Sequence, residues 1–166
     1  MIMLGDDVEL SAWHAEDAPA HRRFSVDADA ARFLGWTVDE ARAAPDAYYE
    51  EGVRNFQREW DAGTRYSLAI RLRADGEAVG AVELRPVGDR SVHVSYLVVP
   101  EYRRAGLASR GLEAMLAWGA RELGLREAYL GCHVDNVASR RVAEKCAFDL
   151  VRREGDELRF RRDLAS

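Results

Sequence analysis

Between Tyr102 and Ser109 the chain reads Arg103-Arg104-Ala105-Gly106-Leu107-Ala108, small residues and arginines joining a strand-like segment to a helix-like one. The first turn of a helix has backbone N–H groups without intrahelical partners, and it carries the positive end of the helix dipole. A turn without bulky side chains lets an anion reach those donors, and neighbouring arginines add charge. That is the chemistry of a phosphate cradle. The spacing is that of neither common nucleotide loop: GxxxxGK[ST] and GxGxxG are both absent. Without any such chemistry the same residues make a plain β–turn–helix junction with surface arginines.

The elements that must hold this turn are legible on either side of it. Val92 to Val99 is rich in β-branched and aromatic residues and is stopped by Pro100. After the turn, apolar residues at Leu112, Met115, Leu116, Gly119 and Leu123 fall at helical spacing, and Gly124 ends the run. Further out, Val8–Ala12 reads as a first strand, followed by helical segments from Ala15 towards Phe24 and from Asp27 to Leu34. Thr37-Val38-Asp39-Glu40 has the form of a capping box, cut short by Pro45. Asp46 can cap a longer helix with Tyr49, Val53, Phe56 and Trp60 on one stripe, ending at Gly63. Tyr66–Leu72 and Ala78–Leu84 are expected strands joined through Asp75-Gly76, and Pro86 with Gly88-Asp89 makes the next turn. After Gly124 the pattern predicts a strand Ala128–Val134 and a helix Asn136–Cys146 with Ala138 and Val142 inward. A hairpin of Phe148–Arg153 and Glu157–Leu164 follows, its alternating arginines making a solvated face.

Composition narrows the function classes. The 166 residues are 48% hydrophobic and 32% charged, which predicts one soluble globular domain spanning 1–166. The net charge of −5 argues against a general nucleic-acid binder. No apolar run reaches the roughly 20 residues of a membrane span, and Met1–Asp7 lacks the form of a secretory signal. Two cysteines, Cys132 and Cys146, need no disulfide framework and suit a cytoplasmic address. Neither forms zinc-ligand spacing with the four histidines, so packed thiols are expected and no metal site.

Arg103-x-x-Gly106-x-Ala108 resembles the [QR]-x-x-G-x-[GA] signature of the GNAT N-acetyltransferases, which bind the pyrophosphate of acetyl-CoA. Asn136-Val137-Ala138-Ser139 followed by Glu144-Lys145-Cys146-Ala147-Phe148 is similar to that family's N-x-x-S…EKxGF segment, most nearly in the ribosomal-protein N-terminal acetyltransferase branch. Cys146-Ala147 stands where Leu-Gly is usual, and Ala143 where other branches carry an acidic tyrosine. The resemblance covers almost the whole chain. It implies a mixed α/β fold: a central, mostly antiparallel sheet flanked by helices, with Val92–Val99 and Ala128–Val134 as a splayed parallel pair. Acetyl-CoA would enter that gap as cosubstrate, held by Leu97, Val98 and Val99, by Arg103 through Ser109, and by Asn136 and Ser139. The helices after the first strand would wall the acceptor cleft, with Phe33, Leu34, Gly35 and Trp36 as candidate contacts. A homodimer is compatible with the resemblance, since relatives include monomers and dimers.

Acetyl transfer to a primary amine, of a peptide or a small molecule, makes three demands. The amine must lose a proton, the thioester carbonyl must be polarised, and the thiolate must be stabilised. A backbone N–H near Val98 or Val99, where the family has a bulged strand, can polarise the carbonyl. The Ser139 hydroxyl can support a thiolate whose conjugate acid has a pKa near 8.5. His93, as a neutral imidazole, is the first candidate base, and Glu83 on the preceding strand the second. Tyr96 either positions substrate or packs beneath a helix. The alternative function is an acyl-CoA-binding module that has lost the chemistry.

Overall fold

The computed structural model describes residues 1–165. Eight strands form one sheet: β1 (Ile2–Met3), β2 (Val8–Ser11), β3 (Tyr66–Leu72), β4 (Ala78–Gly88), β5 (Ser91–Val98), β6 (Glu127–His133), β7 (Asp149–Glu154) and β8 (Glu157–Asp163), in the order β1-β2-β3-β4-β5-β6-β8-β7. Every neighbouring pair is antiparallel except β5 and β6. The helices are α1 (Ala18–Ser25), α2 (Ala28–Leu34), α3 (Val38–Ala43), α4 (Asp46–Asp61), α5 (Leu107–Glu122) and α6 (Val137–Lys145). Single 3-10 turns at Ala15–Asp17 and Pro100–Tyr102 lead towards α1 and α5.

The sheet's alternation sorts the core. Ile70, Val82, Leu84, Val92 and Val94 are buried together with Leu112, Met115 and Leu116 of α5, which packs on β4 and β5. On the opposite face α4 packs on β3 and on α1. There Trp13, Phe24 and Phe56 share a cavity with Ala81, Glu83, Ser95 and Leu97 of the strands. That face also holds the Asp17–Arg71 pair, buried, at 2.7 Å between Oδ2 and Nη2. The Ser11 hydroxyl accepts from Arg71 Nε at 2.8 Å, and the Gly76 carbonyl from Nη1 at 2.8 Å.

Several expectations shift. A short β1, pairing Ile2 with Leu10, precedes the expected first strand. Pro86, expected in a turn, lies within β4. The β3–β4 pairing ends at Tyr66↔Leu84, so the missing proline N–H deprives no neighbour. Pro45 rather than Asp46 is the cap residue of α4. In α6 it is Ala143 that is fully buried, with Ser139, Val142 and Cys146 along the same stripe, while Ala138 is exposed. Arg162 is not a solvated arginine. It bonds Glu113 at 2.6 Å and the Cys146 carbonyl at 2.9 Å, tying β8 to α5.

The parallel pair is short. Only Ser91↔Glu127, Val92↔Ala128 and His93↔Tyr129 are in register. Beyond them β6 continues against β8, from Leu130↔Phe160 to His133↔Glu157, while β5 continues against β4 alone. The two strands part, and the β5 edge from Val94 to Val98 faces a gap.

Candidate active site

The direction of the backbone groups in that gap follows from the ladder. Val99 donates its N–H to the Val79 carbonyl at 2.9 Å, and the register is unbroken from Gly80↔Val98 to Pro86↔Val92. Leu97, Ser95 and His93 therefore exchange hydrogen bonds with β4, and Val98, Tyr96 and Val94 turn their N–H and C=O groups towards the gap. Of the two amides considered for carbonyl polarisation, Val99's is consumed and Val98's is aimed correctly. The bulge expected here is absent, for the one irregularity of the β4–β5 register lies between Pro86 and Gly88.

A hydroxyl pair sits beside the gap. Tyr96 Oη lies 2.7 Å from Ser139 Oγ and donates to the Ser139 carbonyl at 3.3 Å, linking β5 to the first turn of α6. Burial holds the Tyr96 phenol well above the ordinary tyrosine range, with Ser139 pulling the other way, so it stays protonated at neutral pH. Ala143, at the family's tyrosine position, is buried against the core, and the phenol arrives from the strand instead. Alternation in Val94-Tyr96-Val98 was the available signal: one polar tip among inward aliphatic residues. Asn136 caps α6, its Oδ1 accepting the Ser139 N–H at 3.0 Å.

At the far end of β5 lies the turn. Gly106 has φ +74°, and Arg104 φ +64°. A Cβ on Gly106 would sit 3.4 Å from Lys145 Nζ, at the end of α6. Lys145 is the chain's single lysine, against 23 arginines, which marks it in the sequence, yet only the fold carries it to the turn. The pyrophosphate of a coenzyme fits this place: uncapped α5 amides, no side chain on Gly106 and an ammonium alongside. Arg104 and Ala105 are exposed. Leu107 is buried in the core, and Ala108 packs against it. The Ser109 hydroxyl is turned inward onto the Gly106 carbonyl at 3.1 Å. The Arg103 guanidinium is also committed. It donates to the Val98 carbonyl at 2.9 Å, to Asp29 at 3.0 Å and to Asp27, so it fastens α2 to the end of β5.

On the other face of β5 a cavity of about 600 Å³ opens beside Ser95, Tyr96 and Leu97. Glu83 lies in it, its side chain 13% exposed. One carboxylate oxygen accepts from Ser67 at 3.3 Å, the other from Arg85 at 2.7 Å and Ser95 at 3.2 Å, and Arg65 stands at 3.7 Å. Leu34 and Trp36 line this cavity; Phe33 and Gly35 do not. His93, the other candidate base, is outside it. It is the last residue paired with β6, its ring 5.8 Å from Tyr129, about 10 Å of strand away from Tyr96. Burial, then Arg159 and Arg85, lower its pKa, which leaves it neutral but remote. His21 lines the cavity instead, its pKa lowered mainly by burial. The thiols are poor nucleophiles: burial raises Cys132 above its ordinary value and pushes Cys146 up to about 12.

Residues 7–149 match the family model described as an acetyltransferase (GNAT) domain. The chain belongs to the GNAT acetyltransferase family. Among curated proteins, the uncharacterized N-acetyltransferase YnaD of Bacillus subtilis (strain 168) is 25% identical over 109 residues. That match takes in 65% of this chain and 62% of the relative, so the chain aligns with less than two thirds of YnaD's length. The GNAT fold is shared with a ribosomal-protein-S5-alanine acetyltransferase from Vibrio fischeri (TM-score 0.84, 11% identity, 97% and 95% of the two chains). It is shared equally with RimL, a ribosomal L7/L12 α-N-protein acetyltransferase, in complex with coenzyme A joined to a cysteine by a disulfide (TM-score 0.82, 20% identity, 98% and 97%). In this GNAT chain the turn, the gap and the cavity all adjoin one strand, β5.

Proposed function

We propose that this chain, as one domain over 1–166, transfers acetyl from acetyl-CoA to a primary amine by direct attack in a ternary complex. One observation carries the reading: a single strand, β5, joins the amide-lined turn, an open hydrogen-bonding edge and a carboxylate-bearing cavity, with the Tyr96–Ser139 pair between them. Acetyl-CoA supplies the acetyl group as a thioester. The α5 amides, Gly106 and Lys145 hold its diphosphate, and the Val94–Val98 edge binds its arm. The Val98 N–H stabilises negative charge on the attacked carbonyl oxygen. Glu83 accepts the proton leaving the amine, through water held by Ser95. The Tyr96 phenol donates a hydrogen bond to the departing sulfur, which leaves as the thiolate and takes its proton from solvent, and Ser139 orients that phenol. A pair of free, buried thiols supports a reducing, cytoplasmic setting. Among the described residues no helix is long and apolar enough to cross a membrane.

The test follows thiol release from acetyl-CoA across an amine panel. Glu83→Gln keeps the shape and removes the acceptor, so kcat/KM should fall more than tenfold, whereas His93→Ala should change it less than twofold. Coenzyme binding without turnover of any amine would instead identify the non-catalytic acyl-CoA module.

A further inference from the structure

The acceptor cavity is walled by rings. Trp13, Phe24, Trp36, Tyr48, Tyr49 and Phe56 all line it. Four of these belong to the packing: Trp13 stacks on Phe56 with centroids 4.9 Å apart, Phe24 is buried, and the Tyr49 hydroxyl donates to the Ala41 carbonyl at 2.5 Å. Two do not. Tyr48 is 62% exposed at the rim, and Trp36 is only half-buried, its indole held in place by a 2.7 Å bond from Nε1 to the Ser25 carbonyl. Leu34, 45% exposed, stands with them. Exposed aromatic and aliphatic surface around a cavity is a cost in the free protein that an apolar ligand relieves.

The formal charges of the cavity balance, and three of the four are ion-paired. Its carboxylates are Glu40 and Glu83, its guanidiniums Arg65 and Arg85. Glu83 is shared by both arginines and Arg65 is further occupied by Glu59, while Glu40 has only the neutral Thr37 groups of its capping box. His21, its pKa lowered by burial, adds no charge at pH 7. Against the Arg65 and Arg85 guanidiniums, Glu40 is, among the described residues, the one cavity carboxylate without a cationic partner, too little anionic surface to offset the desolvation of a second and third ammonium. At the sheet end of the cavity the acceptors are Glu83 and Ser95, beside the Arg65 and Arg85 guanidiniums, which leaves room for one amine.

Resting on the transferase reading above, we propose that the acceptor is a single primary amine on a short chain ending in an aromatic ring, with the ring held at Trp36 and Tyr48 and the amine at Glu83. The same chemistry can come from a free arylalkylamine or from a peptide whose first residue is aromatic.

The experiment measures thiol release from acetyl-CoA with tryptamine, 2-phenylethylamine, a Phe-led peptide, the same peptide led by Ser, 2-aminoethanol, spermidine and kanamycin. Tryptamine or the Phe-led peptide should show kcat/KM at least tenfold above spermidine, kanamycin and the Ser-led peptide, and whichever of the two is turned over identifies the source. In Tyr48→Ala, an exposed position where folding is not at stake, the preference for tryptamine over 2-aminoethanol should narrow about tenfold, and Tyr48→Phe should restore it. Trp36→Phe, which keeps a ring, should preserve the preference better than Trp36→Ala. Polycations turned over as well as the aromatic amines, or a preference indifferent to both positions, overturns the assignment of the acceptor while the transferase reading stands. Tight acetyl-CoA binding with no thiol release from any amine overturns both.

Discussion

Tyr96 projects from β5 between two inward aliphatic neighbours, Val94 and Val98, and its hydroxyl reaches α6 at 2.7 Å from Ser139. The phenol is protonated because burial disfavours the phenolate, which suits it to donate a hydrogen bond to the departing sulfur. Tyr96→Phe should therefore lower kcat by about 10- to 100-fold with little change in the affinity for acetyl-CoA. Ser139→Ala should lower kcat less, since the serine acts through the phenol. Because the two share one hydrogen bond, the double variant should lose about as much as Tyr96→Phe alone, a non-additivity that steady-state kinetics of the three proteins measures. Additive losses would separate their roles.

Elements matter through where they bring backbone. Gly80 of β4 opposes Val98, and a Cβ there would lie 2.6 Å from the Leu97 carbonyl oxygen, a backbone atom with no freedom to swing aside. Gly80→Ala should push β5 away at the point where its edge opens. About 1–3 kcal/mol of stability should be lost, and thermal unfolding together with kcat/KM reads both effects. Helix α5 contributes its first-turn amides, reached across a residue without a side chain. Gly106→Glu puts a carboxylate among them in a backbone conformation with φ +74° that L side chains resist. Calorimetry with coenzyme A should show affinity falling at least a hundredfold. Unchanged affinity would move the diphosphate site elsewhere.

The whole molecule depends on a pair far from the chemistry. Asp17 and Arg71 anchor the helical layer to β3, with Ser11, Ala12 and Gly76 completing the guanidinium's bonds. Burial alone would raise the Asp17 carboxyl, but the Arg71 bonds, the His14 N–H and the nearby positive charge together hold it below its ordinary 3.8. A depressed carboxylate stabilises the fold fully above its unfolded pKa and loses that contribution as pH falls through the lower folded value. Acid unfolding should thus steepen below pH 3.8, and Asp17→Asn should flatten that limb while lowering stability at pH 7. Arg71→Met leaves an unpaired buried carboxylate and should cost about 3–5 kcal/mol by denaturant titration. Since the proposed acceptor cavity lies between this layer and the sheet, kcat/KM for the amine should fall before coenzyme affinity does.

Local rules placed most elements. Hydrophobic period located β3, β5, α4 and α5, Thr37 and Glu40 formed their capping box, and Gly106 marked the turn, because each is settled by residues within a few positions of one another. Motif resemblance pointed to the same turn, and alternation put His93, Ser95, Leu97 and Val99 on one face of the strand before it, to which the register adds Glu83. What the sequence could not settle was every choice depending on residues distant along the chain. Glu83 and not His93 lines the cavity, although the register gives them one face of the sheet, and where β5 and β6 part is decided by what each pairs with next. Arg103 turned from the expected phosphate to Asp27 and Asp29, more than 70 positions away. Tyr96 and Ser139, 43 apart, became one hydrogen-bonded pair, and Lys145 arrived beside Gly106 only when α6 packed against α5. Short-range sterics and periodicity write the elements, whereas the site is made of meetings between elements, fixed by strand order and packing once the chain has closed.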